Sequence, residues 1–471
     1  MTELIFRPLV EIAQELRERR LTAQEVVEAA IARHEQHGER LHAYALWTPE
    51  KARETARAAD MAFASGATVG PLQGVPISIK DLYAAEGLPC FAGSSRRLPA
   101  DLWEKDGPIV ATIRRQLGPI LGKTHMVEFA FGGTGLNSHH GAPYNPWDST
   151  THRAPGGSSS GAGVSLLEGS AFLALGSDTA GSVRIPASMT GTVGLKVTIG
   201  RWSTEGVVPL SHTFDTPGLL ARSVSDAAYG FAALDPALGN PITFIAKSSR
   251  DLDGIRIAVD DAFFWTDCDT GIAETSKAAV DALASEGAVL HSMKLPEATE
   301  TYAVFLEGGL SAVELRSFLD QELPEWLEQL DPIMASAVRG ADTVSAREYL
   351  GRIGRLKALA RRAPPRFDGI DVIATPTLCL TPPVLSDVGD SDEYLRINRR
   401  IVRNTVAVNY LGLCAITLPV GLDKAGMPVG LQLIAPAWSE EKLLAIALAA
   451  ERVLGTATGD SVSRLYPHRL G

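Results

Sequence analysis

Apolar runs of strand length come from both halves of this chain, and they constrain its fold more tightly than any other feature of the sequence. In the first half, GVPISIKD (residues 74–81) alternates Val75, Ile77 and Ile79 with Ser78 and Lys80, as on a half-buried strand ending at Lys80. In the second half, GIDVIATPT (369–377), LCAITLPVGL (413–422) and MPVGLQLIA (427–435) read as strands, the last two joined through residues 423–426 as in a hairpin. Between them GIRIAVD (254–260), a helical stretch from Asp269 to Ser285 and AVLHSMKL (288–295) form a strand–helix–strand unit. Helices are expected where Thr22 to Glu25 fits a capping box ahead of Val27, Ala30, Ile31 and His34, over 49–65, over 109–117 before a short strand at 119–121, and after Ser439. Strands drawn from both halves predict an α/β fold: one large domain over 1–471, a mixed central sheet with helices on both faces, and the 250–300 unit as an excursion of that sheet. No linker or low-complexity run divides the 471 residues.

The 44 basic residues against 55 acidic ones give a net charge of −11, the wrong sign for gripping a phosphate backbone, so nucleic acid is not expected as a direct partner. The start MTELIFRPLV lacks a basic segment followed by an apolar one, and no run approaches the roughly 20 apolar residues of a membrane span. Cys90, Cys268, Cys379 and Cys414 match neither a metal-site spacing nor a disulfide framework and read as reduced thiols. A cytoplasmic location is the expectation.

Residues 131–163 are rich in glycine and serine, and a loop of that length is usually functional. GSSSG (157–161) also fits a nucleophile elbow with Ser159 at its centre, but the preceding DSTTHRAP, broken by Pro155, is poor strand material. No phosphate-loop pattern occurs, and His139, His140 and His152 lack the spacing of a metal-binding pair, which leaves them structural or substrate-lining. Taken singly, Lys80 reads as a strand-end charge and Ser158 and Ser182 as turn residues. Asp178 and Arg184 bracket Ser182 and are expected to pair structurally. Arg352, Arg355, Arg361, Arg362 and Arg366 suit a solvated helix face, from which one could orient an anionic substrate.

Taken together, APGGSSSGAGVSLLEGSAFLALGSDTAGSVRIPA (154–187) and GVPISIKD resemble the amidase signature family. The resemblance extends to KTHMVEFAFGG (123–133), NPWD (145–148), VGLKVTIGR (193–201) and GMPVGLQLI (426–434), covering most of the chain apart from its middle third. It implies Ser182 as nucleophile, Ser158 as relay after a cis peptide bond at Gly157–Ser158, and Lys80 as base. It further implies an oxyanion hole from Thr179, Ala180, Gly181 and Ser182, and a pocket lined from Phe129 to Gly133, notably Phe131, Gly132 and Gly133. Ile185 stands where some relatives acting on polar or acidic amides carry Gln or Arg, which suggests that no substrate carboxylate is gripped there. Ala180 stands where the family commonly has glycine, and a β-carbon would cost about a kcal/mol or more if that backbone needed φ > 0.

The proton chemistry can be argued physically. Lysine serves as a base only when neutral, and burial without a carboxylate partner favours the neutral form. Asp81 follows Lys80 but points to the opposite face of a strand. The implied activity is that of a free-standing amidohydrolase, without cofactor or metal, cleaving a small-molecule amide to carboxylate plus ammonia or amine through an acyl-enzyme. The rivals are the glutaminase subunit of a tRNA-dependent amidotransferase, a ureide (biuret-type) hydrolase, and a non-catalytic scaffold of the same fold. A homodimer or an accessory subunit is compatible with the resemblance.

Overall fold

The computed structural model describes residues 2–248, 250–260, 262–388 and 391–455. Its strands are β1 (Tyr44–Trp47), β2 (Ile77–Lys80), β3 (Ile120–Thr124), β4 (Leu173–Asp178), β5 (Val193–Lys196), β6 (Thr216–Ala221), β7 (Arg256–Asp260), β8 (Val289–Met293), β9 (Val372–Pro376), β10 (Cys414–Leu422) and β11 (Pro428–Ala435). All of them join one sheet in the order β1-β3-β2-β4-β6-β5-β10-β11-β9-β7-β8. It is mixed: β2 runs parallel to β3 and β4, and β7 to β8 and β9, whereas β6 is antiparallel to β4 and β5 and β10 to β11. The predicted strand–helix–strand unit, with its helix Ile272–Ser285, supplies the β7–β8 edge of this sheet.

Both faces of the sheet are covered, and alternation along the strands shows how. Leu173, Leu175 and Leu219 enter the largest core, beneath the helices Val224–Leu234, Ile272–Ser285 and Glu440–Leu454. Their neighbours Ala174 and Leu220 enter a separate cluster with Ala162, Leu166 and Ala187, from the helices Ser160–Glu168 and Arg184–Thr190 on the other side. Hence β2 is buried along its whole length rather than half-buried. Its polar face meets polar partners instead of water, as where the Ser78 and Ser165 hydroxyls lie 3.0 Å apart.

Other local expectations match closely. Thr22 and Glu25 form the reciprocal capping box ahead of the helix Ala23–Leu41. Helices also span Pro49–Ala64 and Pro108–Arg115, close to the predicted ranges. Ser439 sits at the cap position of the closing helix Glu440–Leu454, but its side chain makes no capping hydrogen bond. Among the described residues, no helix is long and apolar enough to cross a membrane.

Candidate active site

Parallel pairing of β2 with β4 brings the C-terminal ends of the two strands side by side, and the helix Ser160–Glu168 lies over that face. Ser78 and Lys80 point toward this helix because they share one side of β2. Lys80 Nζ lies 2.7 Å from Ser158 Oγ and 2.9 Å from Ser177 Oγ. Its side chain is fully buried, and burial pushes the amine down to about 7, with Asp215 and Asp178 pulling the other way. Asp81 is turned away: its carboxylate sits 3.2 Å from Lys123 Nζ and accepts the Gly93 N–H at 3.1 Å.

Ser158 opens the turn before the helix, and the Gly157–Ser158 peptide bond is cis. Gly156, with φ +81°, passes so close to Pro186 that a β-carbon there would overlap the Pro186 backbone. Ser159 is fully buried, with its hydroxyl 3.4 Å from both the Ser177 N–H and the Ser177 carbonyl. No strand runs into it, as a nucleophile elbow would require. Its N–H donates to the Ser182 carbonyl at 3.4 Å, which joins the two turns.

The second turn leaves β4 at Asp178. Arg184 grips Asp178 through Nε and Nη2 at 3.0 and 2.9 Å and donates further to Gln432 and Asn409 at 2.6 and 2.5 Å. Burial alone would raise the Asp178 pKa, but the charge and hydrogen bonds of Arg184 prevail and hold it at about 2. Asp178 also accepts the N–H groups of Gly181 at 2.8 Å and Val183 at 3.2 Å, so it shapes the turn that carries Ser182. The strained position is Gly181, with φ +128° and no room for a β-carbon beside Thr405, and Ala180 is not among the residues with positive φ.

Ser182 lines a small pocket of about 60 Å³ together with Phe131, Gly132, Gly133, Thr179 and Ala180. Leu210, Phe305, Ser311, Asn398 and Val402 form its other walls. Ile185 is not on its surface: buried with Tyr394, Ile397 and Ile401, it packs behind Gly133 and Gly181. The Thr179 hydroxyl donates to Asp215 at 2.5 Å, and Asp215 accepts the N–H groups of Leu210 and Ser211 at 2.9 and 3.0 Å. Burial pushes Asp215 up to about 6. No motif marks Ser177, Asp215 or Asn398 in the sequence, and only the run FDTPG after an apolar stretch could have drawn attention to Asp215.

The histidines serve structural contacts. His139 Nε2 lies 3.1 Å from Glu128, His140 Nε2 lies 2.9 Å from the Ser94 carbonyl, and His152 stacks on Tyr144. Among the described residues, no group of His, Cys, Asp and Glu side chains could hold a metal ion. On the arginine-rich helix Ala346–Arg362, Arg355 pairs with Glu307 and Arg362 with Glu300, both at the surface.

A buried lysine bonded to the hydroxyls of Ser158 and Ser177 and to no carboxylate, with Ser182 on an adjacent strained turn beside a pocket, is an arrangement suited to acyl transfer. The Amidase family model matches residues 25–444. The chain belongs to the Amidase family. As such it is a hydrolase acting on the carbon–nitrogen bonds of small amides. It is 49% identical to a 2-amino-5-chloromuconic acid deaminase of Comamonas testosteroni, over 95% of this chain and 96% of that one. It is 32% identical to a glutamyl-tRNA(Gln) amidotransferase subunit of Streptomyces coelicolor, over 96% of each. Among solved structures it superimposes on an amidase at a TM-score of 0.84 and 29% identity, over 95% of this chain and all of that one. A 6-aminohexanoate cyclic dimer hydrolase complexed with substrate matches at 0.84 and 25% identity, over 99% of this chain and all of that one.

Proposed function

We propose that this amidase works through an acyl-enzyme on Ser182, with Ser158 as proton relay and Lys80 as base. The observation that carries the reading is Lys80 itself: fully buried, pushed down to about 7, bonded to serine hydroxyls and to no carboxylate, and 2.7 Å from Ser158 Oγ. Neutral Lys80 accepts the Ser158 proton as Ser158 takes that of Ser182, and Ser182 Oγ bonds to the amide carbonyl carbon. The tetrahedral oxyanion is met by backbone N–H groups of the 179–182 turn, each worth roughly 3 to 4 kcal/mol in comparable sites. Thr179, Ala180 and Ser182 are the available donors, since the Gly181 N–H is spent on Asp178. Collapse breaks the C–N bond, and the proton held on Lys80 returns through Ser158 to the departing amine. Water then adds to the acyl carbon by the reverse route and releases the carboxylate.

The leaving group proposed is ammonia, because the relative at 49% identity is named a deaminase whereas the amidotransferase subunits stand near 32%. The same difference favours a free-standing enzyme, working where soluble small amides are found, over a glutaminase subunit that needs a partner. The test is ammonia release from a panel of small amides and ureides by the chain purified alone. Ser182→Ala is expected to lower turnover on the order of a million-fold while leaving the fold intact. Near-normal turnover by that variant rules the nucleophile out, and activity only on glutamine with a second subunit restores the amidotransferase reading.

A further inference from the structure

Ile185 packs behind Gly133 and Gly181, so the position where a polar side chain could have gripped the substrate contributes only apolar surface from behind. Besides Ser182 and Thr179, whose hydroxyl is committed to Asp215, the polar side chains on the pocket wall come from two helices outside the glycine–serine segment. Asn398, on the helix Ser391–Tyr410, accepts the Gly133 N–H through Oδ1 at 2.7 Å. That bond fixes the orientation of the amide, because only the oxygen can accept, and leaves the Nδ2 hydrogens as what Asn398 has to offer. Ser311 begins the helix Ser311–Glu322 on the same pocket wall. Among the described residues, neither Asn398 Nδ2 nor Ser311 Oγ has a protein partner. No charged side chain lines this pocket.

The geometry points to Asn398, assisted by Ser311, as the specificity-determining residue: it donates to a second acceptor oxygen, a carbonyl or carboxylate, carried by the substrate beside the scissile amide. The inference rests on Ser182 being the nucleophile, since that places the scissile carbonyl in this pocket. Asn398 and Ser311 are half-buried on the pocket wall, and a bound substrate covers them, so one lacking the acceptor leaves a desolvated donor unpaired, a stronger source of discrimination than a missing methylene. The preferred substrate is therefore a small amide with a further carbonyl function, and simple alkyl amides are poor substrates.

Three amides of equal chain length test this: a plain alkyl amide, a diamide, and the monoamide of a dicarboxylic acid. Asn398→Asp keeps the oxygen that holds Gly133 and turns the free donor into an acceptor. The ratio of kcat/KM for the better acceptor-bearing amide to that for the alkyl amide is expected to fall about 100-fold. If the natural acceptor is a carboxylate, the monoamide suffers the larger loss through like-charge repulsion; if it is a neutral carbonyl, the diamide is the wild-type favourite. Ser311→Ala, which does not touch Gly133, is expected to lower the same ratio about 5-fold and carries the test if Asn398→Asp unfolds. An unchanged ratio in both variants, or a wild type indifferent to the second oxygen, overturns the assignment. Ser182→Ala separates the two ideas: activity in that variant defeats the nucleophile, whereas its inactivity with an unmoved ratio defeats only the role of Asn398.

Discussion

Two groups at this site titrate close together: burial brings the Lys80 amine down to about 7 and lifts the Asp215 carboxyl to about 6. The pKa of Lys80 is lowered, so its neutral form accumulates as pH rises through about 7, and the ammonium that forms below it cannot take a proton from Ser158. Below about 6, Asp215 also gains a proton and loses acceptor capacity toward Thr179 and the 210–211 amides. The expected profile of kcat/KM therefore rises from acid to an inflection near 7, measured on any amide the enzyme turns over; a flat profile between about pH 5 and 8 would falsify lysine as the base. That Asp81 would not pair with Lys80 was legible in the sequence, because the two residues lie on opposite faces of a short strand. Ser177 was not, since in ALGSD it looks like any strand serine, and only the parallel pairing of β2 with β4 brings it to the amine.

At the scale of elements, the turn between β4 and the helix Arg184–Thr190 is organised by one buried ion pair whose acid also binds two backbone N–H groups. Asp178→Asn leaves the Arg184 guanidinium buried without a counter-charge, a loss expected to cost about 3 to 5 kcal/mol. Thermal denaturation should show a clearly lower Tm together with lost turnover, and an unshifted transition would mean that the pair does not organise the turn. The pairing of these two residues is foreseeable from their bracketing of Ser182. In contrast, β6 went unpredicted because TPGLLA carries Pro217 and Gly218, residues that weaken a strand reading. It forms nonetheless, held on both sides by antiparallel pairing with β4 and β5. Ser439 shows the reverse case, a sound cap residue by type whose hydroxyl does not cap the helix.

Across the whole molecule, the closing helix is tied back to the centre of the chain. Glu451 accepts the Val224 and Ser225 N–H groups at 2.5 and 3.2 Å, joining the end of Glu440–Leu454 to the start of Val224–Leu234. Glu451→Ala strands two helix-start donors, and a loss of about 1 to 3 kcal/mol is expected in chemical denaturation, with kcat little changed. A denaturation midpoint equal to that of the wild type would show that the tie is idle. The chemical inventory, meaning the serines, the lysine, the apolar strand runs and the glycine turns, was determined by sequence alone, because those properties depend on residue type and near neighbours. Which groups lie buried, which of them touch, and which donors remain unspent for a substrate were decided only by tertiary structure. Burial and pairing depend on segments that meet across the sheet, and local composition carries no record of which segments those are.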